Sequence, residues 1–251
     1  MRKVVLITVI CAFAFVATPV MADPMVRMKY KDNNNINNYA ALPGGEFTAQ
    51  LQADLSGWSY DPTQLYADVT RDEIVDGTWT KSFQTFCIET GESISNDGIY
   101  DVVLTDNAMQ GGVGPNGDPI SQGTAFLYYQ FAKGLFDLSV YNYTLGDSRK
   151  DSAKELQNTI WWLEDEGGYF SNNFRTVLDT EFGTSSQTLD LAKIEWQLDN
   201  VGNGNYSVKA MNLYPSPGNQ DQLILTTPVP GAVLLGMLGL GVVGLKLRKF
   251  A

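Results

Sequence analysis

The sequence predicts an α+β fold, mainly antiparallel β in a sandwich or barrel-like arrangement, with a two-helix insertion. Three observations predict it. Short runs rich in β-branched and aromatic residues recur between turn residues at 47–51, 65–69, 80–89 and 100–105. Two stretches in the middle of the chain then change to helical spacing. After them come further short runs at 189–198, 206–214 and 222–227, the first two joined by a Gly-Asn-Gly-Asn turn at 202–205 that reads as a hairpin. At 44% hydrophobic and 18% charged residues, the 251-residue chain has the apolar content for a packed core of one domain or two small ones.

In chain order, residues 1–22 read as a secretory signal. Arg2 and Lys3 open it, 4–16 are apolar apart from Thr8, and Val20, Met21 and Ala22 precede a cut before Asp23. The apolar stretch is short for a bilayer span. Residues 23–45, with Asn33, Asn34, Asn35, Asn37 and Asn38, lack apolar periodicity and are expected to form an irregular N-terminal arm, either loose or a first irregular strand. The folded domain is expected over 46–227. Within it 111–119 is a Gly- and Pro-rich loop. Ala125, Tyr128, Tyr129, Ala132, Leu135 and Phe136 make one helical stripe over 124–136. A second helix is predicted over 151–166, with Asp151 or Ser152 as its N-cap and Gly167 and Gly168 as its stop.

The composition excludes several function classes. The chain has no His, which removes Ser-His-Asp and Cys-His hydrolases and His-ligated metal sites. Its formal charge is −11, and five of its 17 cations lie at the extreme ends, so the middle is more acidic still. Nucleic-acid binding needs a basic face and is not expected. Glu164, Asp165 and Glu166 raise the question of a glycosidase pair, but adjacent acids at a helix end read as a solvated face. Asp32, Asn33, Asn34 and Asn35 have no EF-hand spacing. No catalytic residue, metal or cofactor is expected, and the chain is not read as an enzyme.

Residues 228–251 form a tripartite tail. Pro228, Val229 and Pro230 lead into an uncharged apolar stretch up to Leu245, and Lys246, Arg248 and Lys249 close it. A helix over 229–245 measures about 25 Å, marginal for the hydrocarbon layer, and the basic end would stay on the cytoplasmic side. This layout resembles the PEP-CTERM sorting signals of Gram-negative bacteria, although the family's Glu is absent from the Pro motif. The resemblance implies processing by an exosortase-like membrane protease and a transient stay in the inner membrane through the C-terminal helix. It also implies a destination at the cell envelope or in the extracellular matrix.

Cys11 leaves with the signal, so the exported chain has one cysteine, Cys87. An unpaired cysteine in an exported protein is either a small buried apolar residue or a reactive group. Gln157 sits in the second predicted helix beside the stripe of Ala153, Leu156, Ile160 and Leu163. A carboxamide there needs partners, since an unpaired buried one costs about 1–3 kcal/mol. Phe86, Cys87, Ile88 and Glu89, followed by Gln157, Asn158, Thr159, Ile160 and Trp161, resemble the two motifs of bacterial thioester domains, with Leu156 and Thr159 departing from that pattern. A similar pair of motifs occurs among PEP-CTERM proteins. The resemblance implies an internal Cys87–Gln157 thioester shielded by Phe86 and Trp161, with Tyr128 or Tyr129 nearby. It implies a single-use adhesin that bonds covalently to amines or hydroxyls of a surface protein or polysaccharide. The alternative is a structural protein of the extracellular polysaccharide matrix in which Cys87 is a buried free thiol.

Overall fold

A computed structural model describes residues 25–29, 40–41, 44–51, 82–109, 117–144, 146–200, 206–215 and 218–226. The expected signal (1–22), the run at 65–69, the acidic Asn-rich run at 32–35 and the sorting tail with Pro228, Val229, Pro230, Lys246, Arg248 and Lys249 lie outside the described residues. Among the described residues no helix is long and apolar enough to cross a membrane.

Among the described residues the fold is mainly antiparallel sheet with four α-helices. Strands β1 (Met25–Lys29), β2 (Ala40–Ala41), β3 (Gly44–Gly45), β4 (Phe47–Leu51), β5 (Ser82–Thr85), β6 (Ile99–Thr105), β7 (Asn107–Ala108) and β8 (Asp118–Pro119) come first. Helices α1 (Gln122–Ala132), α2 (Asp147–Leu163), α3 (Arg175–Phe182) and α4 (Leu189–Trp196) follow. Strands β9 (Val208–Tyr214) and β10 (Gln222–Leu225) end the described fold.

Six strands form one sheet in the order β10-β9-β6-β1-β4-β5, every neighbour antiparallel. Its two edges approach each other. Cys87, just beyond β5, makes an antiparallel bridge with Gln222 of β10, and Leu223 N–H donates to Phe86 O at 3.0 Å. The sheet therefore curls towards a barrel, with Cys87 on the seam.

Strand alternation sends side chains to two cores. Val26, Met28, Phe47, Ala49, Phe83, Cys87, Tyr100, Val102, Met211, Leu213 and Ile224 fill the inside of the curl together with Trp161 from α2. Val208, Ala210, Leu223 and Leu225 face the other way, onto a layer built by α1, α2 and the later helices.

Several expectations are corrected. Within the expected arm, residues 25–29 take the strand alternative and lie between β4 and β6; five residues alternating around Val26 and Met28 are too few to reveal a period against the Asn-rich sequence beside them. Helix α2 begins at Asp147 after the cap residue Gly146, five residues before the first of the expected caps, Asp151; no side chain caps it, and Arg149 in its first turn is buried. The turn beyond α2 does use Gly168, whose φ is +71° and whose added Cβ would stand 2.5 Å from Asn158 O.

The run at 189–198 is not half of a hairpin. Its buried members are Ala192 and Trp196, four apart, so it packs as helix α4, while Leu191, Ile194 and Leu198 face solvent. With α3 also present, the two-helix insertion becomes four helices.

Candidate functional site

Cys87 and Gln157, 70 residues apart in sequence, meet where α2 crosses the seam of the sheet. Cys87 is fully buried and Gln157 is 1% exposed. The Cys87 thiol donates to Gln157 Oε1 at 3.1 Å. The same oxygen accepts the Cys87 N–H at 3.2 Å and the Gly45 N–H at 3.3 Å, and Gln157 Nε2 donates to Cys87 O at 2.7 Å. The carboxamide is thus fixed from both ends, and its carbonyl oxygen lies between two backbone N–H groups with the sulfur beside it. Such a pair of donors is the arrangement that stabilises negative charge developing on a carbonyl oxygen under nucleophilic attack.

Each partner reaches this point for a local reason. Helical spacing puts Gln157 next to Ala153, Ile160 and Trp161 on the face that α2 buries. Cys87 follows β5, where Phe83 and Cys87 point into the curl and Phe86 points into the opposite layer. Gly45 arrives through the short β2–β3 pair. A Cβ on its neighbour Gly44 would stand 2.5 Å from Gln157 Cγ and 2.6 Å from Trp161 Cη2, so only glycine allows this approach.

The expected shield divides accordingly. Trp161, 3% exposed, shares the inner cluster with Cys87. Phe86 is fully buried but packs edge-on against Phe131 in the helical layer, behind the strand rather than over the sulfur. Tyr128 is fully buried in that same layer, its hydroxyl on Gln84 O at 3.1 Å, and Tyr129 packs against Tyr206.

Burial pushes the Cys87 thiol well above its ordinary pKa, and the charges of Glu89 and Glu92 add to this. The Trp161 indole N–H lies close enough to favour the ionised form, yet it has no hydrogen bond of ordinary geometry among the described residues. At neutral pH the sulfur is a protonated thiol.

A buried ion pair holds the glycine strand on the helix. Glu46, next to Gly45, takes Arg149 of α2 through both carboxylate oxygens, Nε to Oε1 at 2.9 Å and Nη2 to Oε2 at 2.7 Å. Tyr141 also donates to Glu46 Oε1. Sequence reasoning missed Gly44, Gly45, Glu46 and Arg149; the adjacent glycines were the available signal.

The acids at the end of α2 are not all a solvated face. Glu164 is 6% exposed and accepts the Ser121 hydroxyl at 2.8 Å and the Ser121 N–H at 3.2 Å. Burial raises its pKa to about 7, and the Thr124 and Ser121 groups beside it offset this only in part. Asp165 is exposed and pairs with Lys193 at 2.5 Å. Comparison of the chain with known protein families, characterised proteins and solved structures gives no match.

Proposed function

We propose that this is an exported cell-surface or matrix protein in which Cys87 and Gln157 condense into an internal thioester. The observation that carries the reading is the Gln157 carbonyl oxygen, held by the Gly45 and Cys87 N–H groups with the Cys87 sulfur 3.1 Å away. Sulfur adds to the Gln157 carboxamide carbon, the two N–H groups hold the oxyanion, and the C–N bond breaks. The thiol proton leaves with the amide nitrogen as ammonia, so atoms balance without a further reactant. A protonated thiol makes this slow. One event per molecule is enough, which suits a chain with no His to act as a base.

The buried setting keeps water from the ester. An amine or hydroxyl of a target reaches the carbonyl only when Gly44 and Trp161 move aside, and its attack leaves an amide or ester at Gln157 and a thiol at Cys87. The signal and the PEP-CTERM-like tail would deliver this domain to the envelope or matrix through the inner membrane and an exosortase-like protease.

Intact mass of the purified protein tests the reading. The expected mass is lower by one ammonia, with Cys87 inert to alkylating reagents. Methylamine should add its own mass and expose the thiol. A full-mass chain whose Cys87 alkylates once unfolded returns the structural reading. That reading also has an observation in its favour: every polar atom of the Gln157 amide group is already hydrogen-bonded, so the pair would serve as a staple between α2 and the seam.

A further inference from the structure

Just beyond Cys87, along the seam, the fold brings three carboxylates together. Glu89 and Glu92 come from this segment, and Asp221 from the residue before β10. One oxygen from each lies within 4.8 Å of the others. Glu89 is 2% exposed and Asp221 1%, while Glu92 is half-buried.

Acidic clusters are usually solvated and need no ligand, but this one has a feature that solvation does not explain. Among the described residues no N–H or hydroxyl donor reaches either carboxylate oxygen of the buried Glu89, whose hydrogen-bonding neighbour is the Glu92 carboxyl, another acid. Among the described residues no Lys or Arg forms an ion pair with any of the three. A buried carboxylate with neither such a donor nor a counter-charge is strongly unfavourable.

Hydrogen bonds frame the cluster. Ile88 N–H donates to Asp221 O at 3.0 Å, and Gln220 Nε2 donates to the backbone oxygens of Glu89 and Glu92 at 3.1 and 3.3 Å. The Asp221 side chain accepts one backbone N–H on each oxygen, from Met109 at 2.5 Å and Leu213 at 3.3 Å, which fixes it and leaves lone pairs over. Asp221 N–H reaches Glu92 Oε2 at 3.4 Å.

We propose that Glu89, Glu92 and Asp221 bind a calcium ion. The donor set is all oxygen, as hard cations require, and calcium–oxygen bonds of about 2.3–2.6 Å bridge donors up to about 5 Å apart. Magnesium, with bonds of about 2.1 Å, demands a tighter octahedron. The half-buried Glu92 marks the side on which water completes the shell. Without the ion, burial and the neighbouring acids push Glu89 to about 10 and Asp221 to about 7, so a shared proton is the competing way to neutralise the cluster. The bound ion would tie the segment after Cys87 to β10, closing the seam. This inference does not rest on the thioester.

The test uses the full chain stripped with a chelator and titrated with calcium chloride alone. One calcium per chain is expected by calorimetry, with a rise in melting temperature of about 5 °C or more at saturation. Glu89→Gln should abolish the rise, and Glu92→Gln, at the outer edge, should weaken binding at least about tenfold while folding normally. The exposed Glu195→Gln should leave calcium binding unchanged. Equal stabilisation by magnesium would overturn the assignment to calcium. If the stripped protein neither binds nor is stabilised by either metal up to millimolar concentrations, the site is a proton-sharing pair and the proposal fails. Intact mass reports the thioester separately, so the two proposals fail independently.

Discussion

Arg149→Met isolates the contact that positions the glycine strand on α2. Both side chains of the Arg149–Glu46 pair are fully inaccessible, and the pair is bidentate at 2.7 and 2.9 Å. Removing the guanidinium leaves the Glu46 carboxylate in the interior with the Tyr141 hydroxyl but without its positive charge. Breaking a buried pair from one side costs about 3–5 kcal/mol, because the surviving charge is desolvated without compensation. In a domain of this size each kcal/mol lowers the melting temperature by about 2–4 °C, so a fall of about 10 °C is expected. Thermal unfolding followed by circular dichroism reads it directly. The double variant Glu46→Leu with Arg149→Met should recover much of the loss, since removing both charges also removes their desolvation cost. Arg149→Met melting within about 2 °C of the parent would refute the argument, and Gly45 would then be held in place by something other than this pair.

Two further predictions follow from single close contacts. Gly44→Ala puts a carbon 2.5 Å from Gln157 Cγ and 2.6 Å from Trp161 Cη2, neither able to retreat, because the amide is bonded at both ends and the indole is buried. Overpacking of this kind costs about 1–3 kcal/mol. It should also withdraw the Gly45 N–H from Gln157 Oε1, slowing ester formation by about 10²-fold if that donor acts on the oxyanion. Gly91→Ala, whose added carbon meets nothing within 4 Å, is the control, and equal behaviour of the two variants would dismiss the contact. Glu164 concerns pH. Its pKa is raised from 4.5 to about 7 on folding, so the native state binds more protons between those values and stability falls as pH rises through about 7. Glu164→Gln removes that loss. Its stability relative to the parent should improve by up to about 3 kcal/mol between pH 5 and 8 in denaturant titrations, and a difference independent of pH would count against a buried, titrating Glu164.

The sequence showed most clearly the features that repeat. A short run of β-branched and aromatic residues marked β6, and the spacing of Ala153, Leu156, Ile160 and Leu163 marked α2 and put Gln157 on its edge. What it hid was set by tertiary partners. Leu189, Leu191 and Ile194 are apolar but lie on the exposed side of α4, so counting apolar residues without knowing which are buried makes the segment look like a strand. Arg149 and Glu46 carry opposite charges 103 residues apart, and nothing local distinguishes them from surface residues. Glu164 looked solvated for the same reason, since its partner, Ser121, lies 43 residues upstream. Local patterns expose elements; buried polar pairs appear only once the chain has closed.

The closure also explains why the thiol, the carboxamide and the carboxylates occupy one stretch of the molecule. Joining the edges of a curled antiparallel sheet leaves a seam where ladder hydrogen bonds are few, here among the described residues the isolated bridges of Cys87 with Gln222 and of Ser93 with Asn219 and their flanking bonds. Backbone groups along such a seam need other partners. Gln157 supplies them on the inner side, accepting the N–H of Cys87 and donating to its carbonyl. Gln220 supplies them further along the seam, donating to the carbonyls of Glu89 and Glu92. A side chain recruited to satisfy backbone in a dry place is held rigidly, at short range and away from water. These are the conditions under which a carboxamide beside a thiol, or a carboxylate without a counter-charge, becomes reactive or ligand-seeking. In this account the chemistry proposed on both sides of Cys87 follows from how the sheet closes, and a variant that loosens the seam should weaken both sides together.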